Sequence, residues 1–197
     1  MVMVTENLTH DPFLFNTLIE HDIIIETVPV LSYSDITKKK HAGKEVLNTA
    51  SKINILNMHD YDKLVYLDAD MFVLKNCDEL FNYKDGSMGF TGEENMTTLF
   101  VINPRNHKEF RFVKAAMEKE DCFDGNLLED YWFFLKDNEE EYGIPYKYFY
   151  SMGDYVYVPE DTKIVHLSHE YPIWNYPPSV LDGFDYPLNY YQELMMY

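Results

Sequence analysis

Two aspartates one residue apart, Asp68 and Asp70, follow the short apolar run Lys63–Leu67, KLVYL. A run of that kind suits a central, fully buried strand, so the pair stands where a strand gives way to a loop. There the chain leaves the alternation of the pleat, and both carboxylates can converge on one cation. Hard divalent ions take oxygen ligands, and phosphate oxygens complete their shell. In open α/β sheets, ligands gather at the carboxyl ends of strands. The spacing alone is weak, because Asp60-Tyr61-Asp62 repeats it with no strand before it. A second apolar run, Lys163–Leu167 (KIVHL), carries His166 near its end. Imidazole suits first-row transition ions such as manganese and would complement two carboxylates. Taken singly, a histidine on an apolar strand is more often a structural residue.

The elements that must position these groups are partly legible. Met1–Thr5 alternates like a short strand. Asp11-Pro12 is a helix N-cap and first-turn pair, and the helix is expected to reach about Glu20. Ile23–Val30 reads as a buried strand, so the opening forms a βαβ unit and predicts a mostly parallel sheet. Lys38–Lys40, the one basic run, is expected in a solvated loop. Lys44–Met58 has helical periodicity, with Val46, Leu47, Ala50, Ile53 and Leu56 near one face. His59–Asp62 breaks it. Further strands are expected at Met88–Thr91 and Leu99–Ile102. Helices are expected over about His107–Glu118 and Leu127–Leu135. Tyr142–Val158 is dense in tyrosine and has no clear period. Tyr171–Tyr197 is rich in Pro and Tyr and reads as a surface-wrapping tail.

Composition narrows the function classes. The chain has 197 residues, 46% hydrophobic and 16% aromatic, which fits one packed domain. Sixteen basic against 34 acidic residues leave a net charge of -18. That field argues against nucleic acid and anionic membranes as partners, yet a bound cation reverses it locally for a phosphorylated ligand. No run of about 18 apolar residues encodes a membrane span. Met1–His10 lacks the basic region and cleavage site of a signal peptide. Cys77 and Cys122 are expected as reduced thiols, and the cytosol as the compartment. The ten methionines are packing residues by default. Glu139–Glu141 reads as a solvated acidic run.

KLVYLDADMFVLKNCDELF followed by KIVHLSHEYPIWNY resembles glycosyltransferase family 8, the glycogenin-like group. Its members carry a strand ending in D-x-D, an N-x-D-E-L-F-like turn and, near the end, a strand ending in His before a Pro-Trp segment. The resemblance runs from about Val2 to Tyr176. It implies a single Rossmann-like GT-A-type domain over residues 1–197, an α/β fold with a mixed, mostly parallel central sheet flanked by helices. The core would cover about 1–176, with the tail at 177–197. It also implies that Asp68, Asp70 and His166 hold a manganese or magnesium ion. That ion would bridge the diphosphate of a UDP-sugar as a hexose is transferred with retention of configuration. Lys52 matches the family's lysine before the D-x-D strand, which approaches the donor; the other reading is an exposed helix lysine. Glu129 or Asp130 matches an acidic residue near the reacting sugar; both also read as solvated acids at a helix start. Ala69, Asn95 and Trp174 join the donor contacts, and Trp174 and Tyr176 suit the face of a sugar. Related proteins often dimerise, so a homodimer is among the expectations.

Three departures fall on the donor side. The family's opening strand and helix are expected to be missing, with Met1–Thr5 aligning to its second strand. In H-x-x-G-x-x-K-P-W, His169 replaces Gly and Pro172 replaces the diphosphate-contacting Lys. The family's N-[SA]-G reads Met96-Thr97-Thr98, with Asn95 adjacent. Two functions therefore stand side by side: an active transferase, or a catalytically weak or inactive binding or assembly module on the same fold. A phosphate-cleaving two-metal enzyme is disfavoured, because no second acidic cluster ends a strand.

Overall fold

The computed structural model describes residues 1–5, 12–42, 45–91, 94–106, 108, 110–119, 142–145, 149–151 and 160–166. The chain divides into two compact units, Met1–Asp62 with Pro104–Tyr131, and Lys63–Asn103 with Trp132–Tyr197. The expected helix at Leu127–Leu135, Cys122 and the tail lie outside the described residues.

The first unit opens as its sequence pattern requires. Strand β1 (Val2–Thr5) pairs in parallel with β2 (Ile25–Val28), and α1 (Pro12–Glu20) connects them. Helix α1 ends on Asp22, whose φ of 55° is left-handed. Ile23 N–H donates to the Leu18 carbonyl at 2.9 Å and Asp22 N–H to that of Ile19 at 3.0 Å, a Schellman closure. The basic run falls in a helix rather than a loop: α2 spans Asp35–Lys40. The Ser34 hydroxyl caps it by accepting from Thr37 N–H at 3.1 Å, and Lys38–Lys40 meet the negative end of its dipole. The periodic segment Glu45–Asn57 winds as a 3-10 helix, with Ala50, Ile53 and Leu56 fully buried. Helix α3 (Phe110–Lys119) buries Val113 and Met117, and the Met117 carbonyl accepts from Ser34 N–H at 3.0 Å. The break at 59–62 is held by Arg105, which donates to the carbonyls of His59 and Asp60 and pairs with Asp62 at 2.6 Å.

The second unit holds two sheets. In the first, β3 (Leu64–Leu67), β5 (Met88–Thr91), β6 (Glu94–Ile102) and β7 (Gly143–Ile144) lie in the order β3-β6-β5-β7. In the second, β4 (Met71–Val73), β8 (Phe149–Ser151) and β9 (Ile164–His166) lie in the order β4-β9-β8. The fold is thus α/β with mixed sheets, as expected. Parallel and antiparallel pairings are equal among the described strands; α1 joins the parallel pair β1 and β2, while β5 and β6 form an antiparallel hairpin.

One expectation is corrected. Strand β3 is not central among the described residues: it pairs with β6 alone, and Val65, Tyr66 and Leu67 are only half-buried. A run of apolar residues reports the covering of faces, not the number of neighbours. Among the described residues β9 is buried throughout and flanked on both sides. Alternation along β3 then sorts its side chains. Val65 and Leu67 pair in register with Val101 and Leu99 of β6 and pack into a core of Leu80, Leu99, Val101, Ile144 and Ile164. Tyr66, paired with Phe100, takes the opposite face.

Candidate metal centre

Asp68 inherits its direction from that alternation, standing two residues beyond Tyr66 on the same face. Its N–H donates to the Thr98 carbonyl at 3.0 Å, so strand geometry persists one residue past β3. The Tyr66 hydroxyl donates to Asp68 Oδ1 at 2.7 Å. The chain then turns, and Met71 N–H closes back on the Asp68 carbonyl at 3.2 Å. Ala69 is exposed at this turn. Asp70 is the last residue before β4, and β4 pairs antiparallel with β9 so that Met71 faces His166. That register brings together two groups nearly one hundred positions apart in sequence: Asp70 Oδ1 lies 3.3 Å from His166 Nε2.

One ligand atom each from Asp68, Asp70 and His166 lie within 4.8 Å of one another. Two ligands on opposite sides of a cation, with bonds of about 2.1–2.4 Å, sit roughly 4.2–4.8 Å apart. The three groups therefore fit one divalent ion with little movement. The donor set agrees: two hard oxygens suit manganese and magnesium alike, and the imidazole nitrogen favours the transition ion. Two carboxylates drawn this close repel each other in a chain that is already acidic, and a cation relieves that repulsion. His166 is 5% exposed, so its ring is held by packing on β9 instead of being free to swing.

The other expected site residues are distributed differently. Lys52 belongs to the first unit and is 8% exposed, which removes the exposed-lysine reading. Asn95 lies on β6, opposite Phe90. Glu129, Asp130, Trp174, Pro172 and His169 lie outside the described residues. Two neighbours of the site escaped the sequence reading. Tyr66 was visible only as part of an apolar run, although its position two before Asp68 on a strand signals a shared face. Thr98 stands on β6 where its backbone meets Asp68, and its buried hydroxyl has no hydrogen-bond partner among the described residues. Cys77 is not a ligand here. It packs against the core, and burial, followed by Glu79 and Asp78, pushes its thiol above the usual range.

No protein-family model matches the chain. Among characterised proteins it is similar to glycogenin-1 of Caenorhabditis elegans, 29% identical over 178 residues, which cover 83% of this chain and 41% of that protein. It is also similar to glycogenin-2 of Homo sapiens, 30% identical over 142 residues, covering 65% of this chain and 28% of that protein. The chain thus spans less than half the length of these two relatives. Among solved structures, mouse xyloside xylosyltransferase 1 in its apo form superposes with a TM-score of 0.45 and 12% identity, over 83% of this chain and 82% of that one. No described helix is long and apolar enough to cross a membrane.

Proposed function

The chain belongs to the glycogenin-like group of glycosyltransferase family 8, and from that premise we propose that it moves a hexose from a UDP-sugar to a carbohydrate or protein acceptor, with retention. We read residues 1–197 as one GT-A-type domain. The observation that carries the reading is the convergence of Asp68, Asp70 and His166. Asp68 and Asp70 would offer carboxylate oxygens and His166 a ring nitrogen. A manganese or magnesium ion held there would supply positive charge to offset the diphosphate as UDP leaves. The residues that surround it have simpler tasks. Tyr66 and the β3–β6 ladder fix Asp68, and the β4–β9 pairing fixes Asp70 against His166. Lys52, Ala69, Asn95 and Trp174 would contact the donor, and Glu129 or Asp130 would lie near the reacting sugar. A homodimer in the cytosol completes the proposal.

The second reading, a weak or inactive binding module, draws on Pro172 in place of the family's lysine and on the charge of -18. Both leave the ion to offset the acidic field alone. Thermal unfolding with UDP, with manganese and with both separates the two. A ligand at 100 times its Kd adds about 2.7 kcal/mol to stability. For the transferase, UDP raises Tm only when manganese is present, Asp70→Asn abolishes the effect, and UDP-sugars are hydrolysed slowly. If no nucleotide stabilises the protein with any metal, the transferase reading is wrong.

A further inference from the structure

We propose that Tyr66 is the positioning residue of the metal centre, acting through Asp68 and not through the ion. The inference rests on the reading of Asp68, Asp70 and His166 as a divalent-ion site. Three observations converge on it. The Tyr66 hydroxyl donates to Asp68 Oδ1 at 2.7 Å, within the range expected when a hydroxyl meets a carboxylate. The ring that carries this hydroxyl is itself held, stacking on Phe100 with centroids 4.6 Å apart and planes 17° from parallel. Phe100 is 0% exposed and is paired across the sheet on both sides, with Tyr66 of β3 and Met88 of β5. An immobile aromatic thus anchors a tyrosine, and the tyrosine anchors the carboxylate.

The need for such an anchor follows from where Asp68 stands. Its backbone is the last point tied to β6, and the turn through Ala69 begins at once. A carboxylate at a strand end can rotate about two side-chain bonds, and only some rotations aim an oxygen at the place where Asp70 and His166 converge. Asp70 and His166 are fixed to each other by the β4–β9 register, but that register does not reach Asp68. The Tyr66 bond restrains that rotation from within Asp68's own strand. Partners of this kind typically change metal affinity by about 10–100-fold when removed.

The test is a manganese titration followed by the electron-spin resonance of the free ion. It uses the full chain as wild type, Tyr66→Phe, Asp68→Ala and the double variant. Phenylalanine keeps the stack on Phe100 and deletes only the hydroxyl, so Tm without metal should fall by no more than one hydrogen bond is worth, about 1–6 °C. Manganese binding should weaken by about 10–100-fold, whereas Tyr66→Phe added to Asp68→Ala should weaken it no further. Equal affinity in wild type and Tyr66→Phe overturns the inference and leaves the metal site standing. So does a loss of the same size in the Asp68→Ala background, which would show a general structural effect. If the wild type binds no divalent ion, the reading of the site falls and takes the inference with it.

Discussion

Ile164 offers the sharpest check on how the second unit holds its histidine. It is 0% exposed on β9 and packs with Leu80, Leu99, Val101 and Ile144, two residues before His166. Ile164→Ala removes three carbons and leaves a cavity that the flanking strands β4 and β8 prevent from closing. Losses of this kind cost about 2–5 kcal/mol. At about 3 kcal/mol, and about 2–4 °C per kcal/mol for a chain of this size, Tm should fall by roughly 6–12 °C. The side chain points into the core, while the backbone of β9 remains paired in register from Ile164 to His166. Manganese binding should therefore survive. At 100 times Kd it adds about 2.7 kcal/mol, and so recovers most of the loss. The assay is thermal unfolding by circular dichroism, with and without manganese, for both proteins. A fall of less than about 2 °C would mean that Ile164 is not part of this core. A normal fall with no recovery by manganese would mean that packing at Ile164, rather than strand pairing, positions His166.

Two further outcomes follow from single atoms. Ser87 is 0% exposed and its hydroxyl has no hydrogen-bond partner among the described residues. Ser87→Ala should be neutral or raise stability by up to about 1–2 kcal/mol, read as a higher urea midpoint, since the buried hydroxyl carries a desolvation cost with no return; a clear loss would reveal a partner for it. For Cys77, burial first, then Glu79 and Asp78, favour the neutral thiol, against a smaller opposing effect of Lys163. Less thiolate is present at any given pH, so in a Cys122→Ser background iodoacetamide should modify Cys77 more slowly than a free thiol, with a midpoint at higher pH. A midpoint below that of the free thiol would contradict the packing of Cys77 against the core.

The sequence made the ends of the site legible and hid what joins them. Asp68 and Asp70 could be named because they follow an apolar run long enough to read as a strand, whereas His166, near the end of another such run, became a ligand candidate through the family resemblance. Met88–Thr91 and Pro12–Glu20 were legible for the same reason, in pattern and in punctuation. Strand β4 was not. Three residues, Met71–Val73, make too short a run to show a period, and the strand they pair with is β9, some ninety positions later. The placement of β3 failed in the same way, since hydrophobicity records burial while strand order depends on partners elsewhere in the chain. Lys38–Lys40 were misplaced because their charge suggests solvent, whereas the deciding residue was the neutral cap Ser34 before them.

The hidden strand β4 carries the larger consequence. The D-x-D spacing is shared by Asp60 and Asp62, yet those two engage Arg105 through the Asp60 carbonyl and the Asp62 carboxylate, at a turn in the first unit. What separates the two pairs is the three-residue strand after Asp70, which recruits β9 and with it a buried imidazole. On the proposed reading, a D-x-D motif can serve as a metal site when the residues that follow it pair with a strand ending in His. The test of that rule is Phe72→Pro, which removes a ladder donor at the middle of β4. It should abolish manganese binding while every ligand side chain remains in the sequence. Intact binding would mean that the ligands find one another without β4.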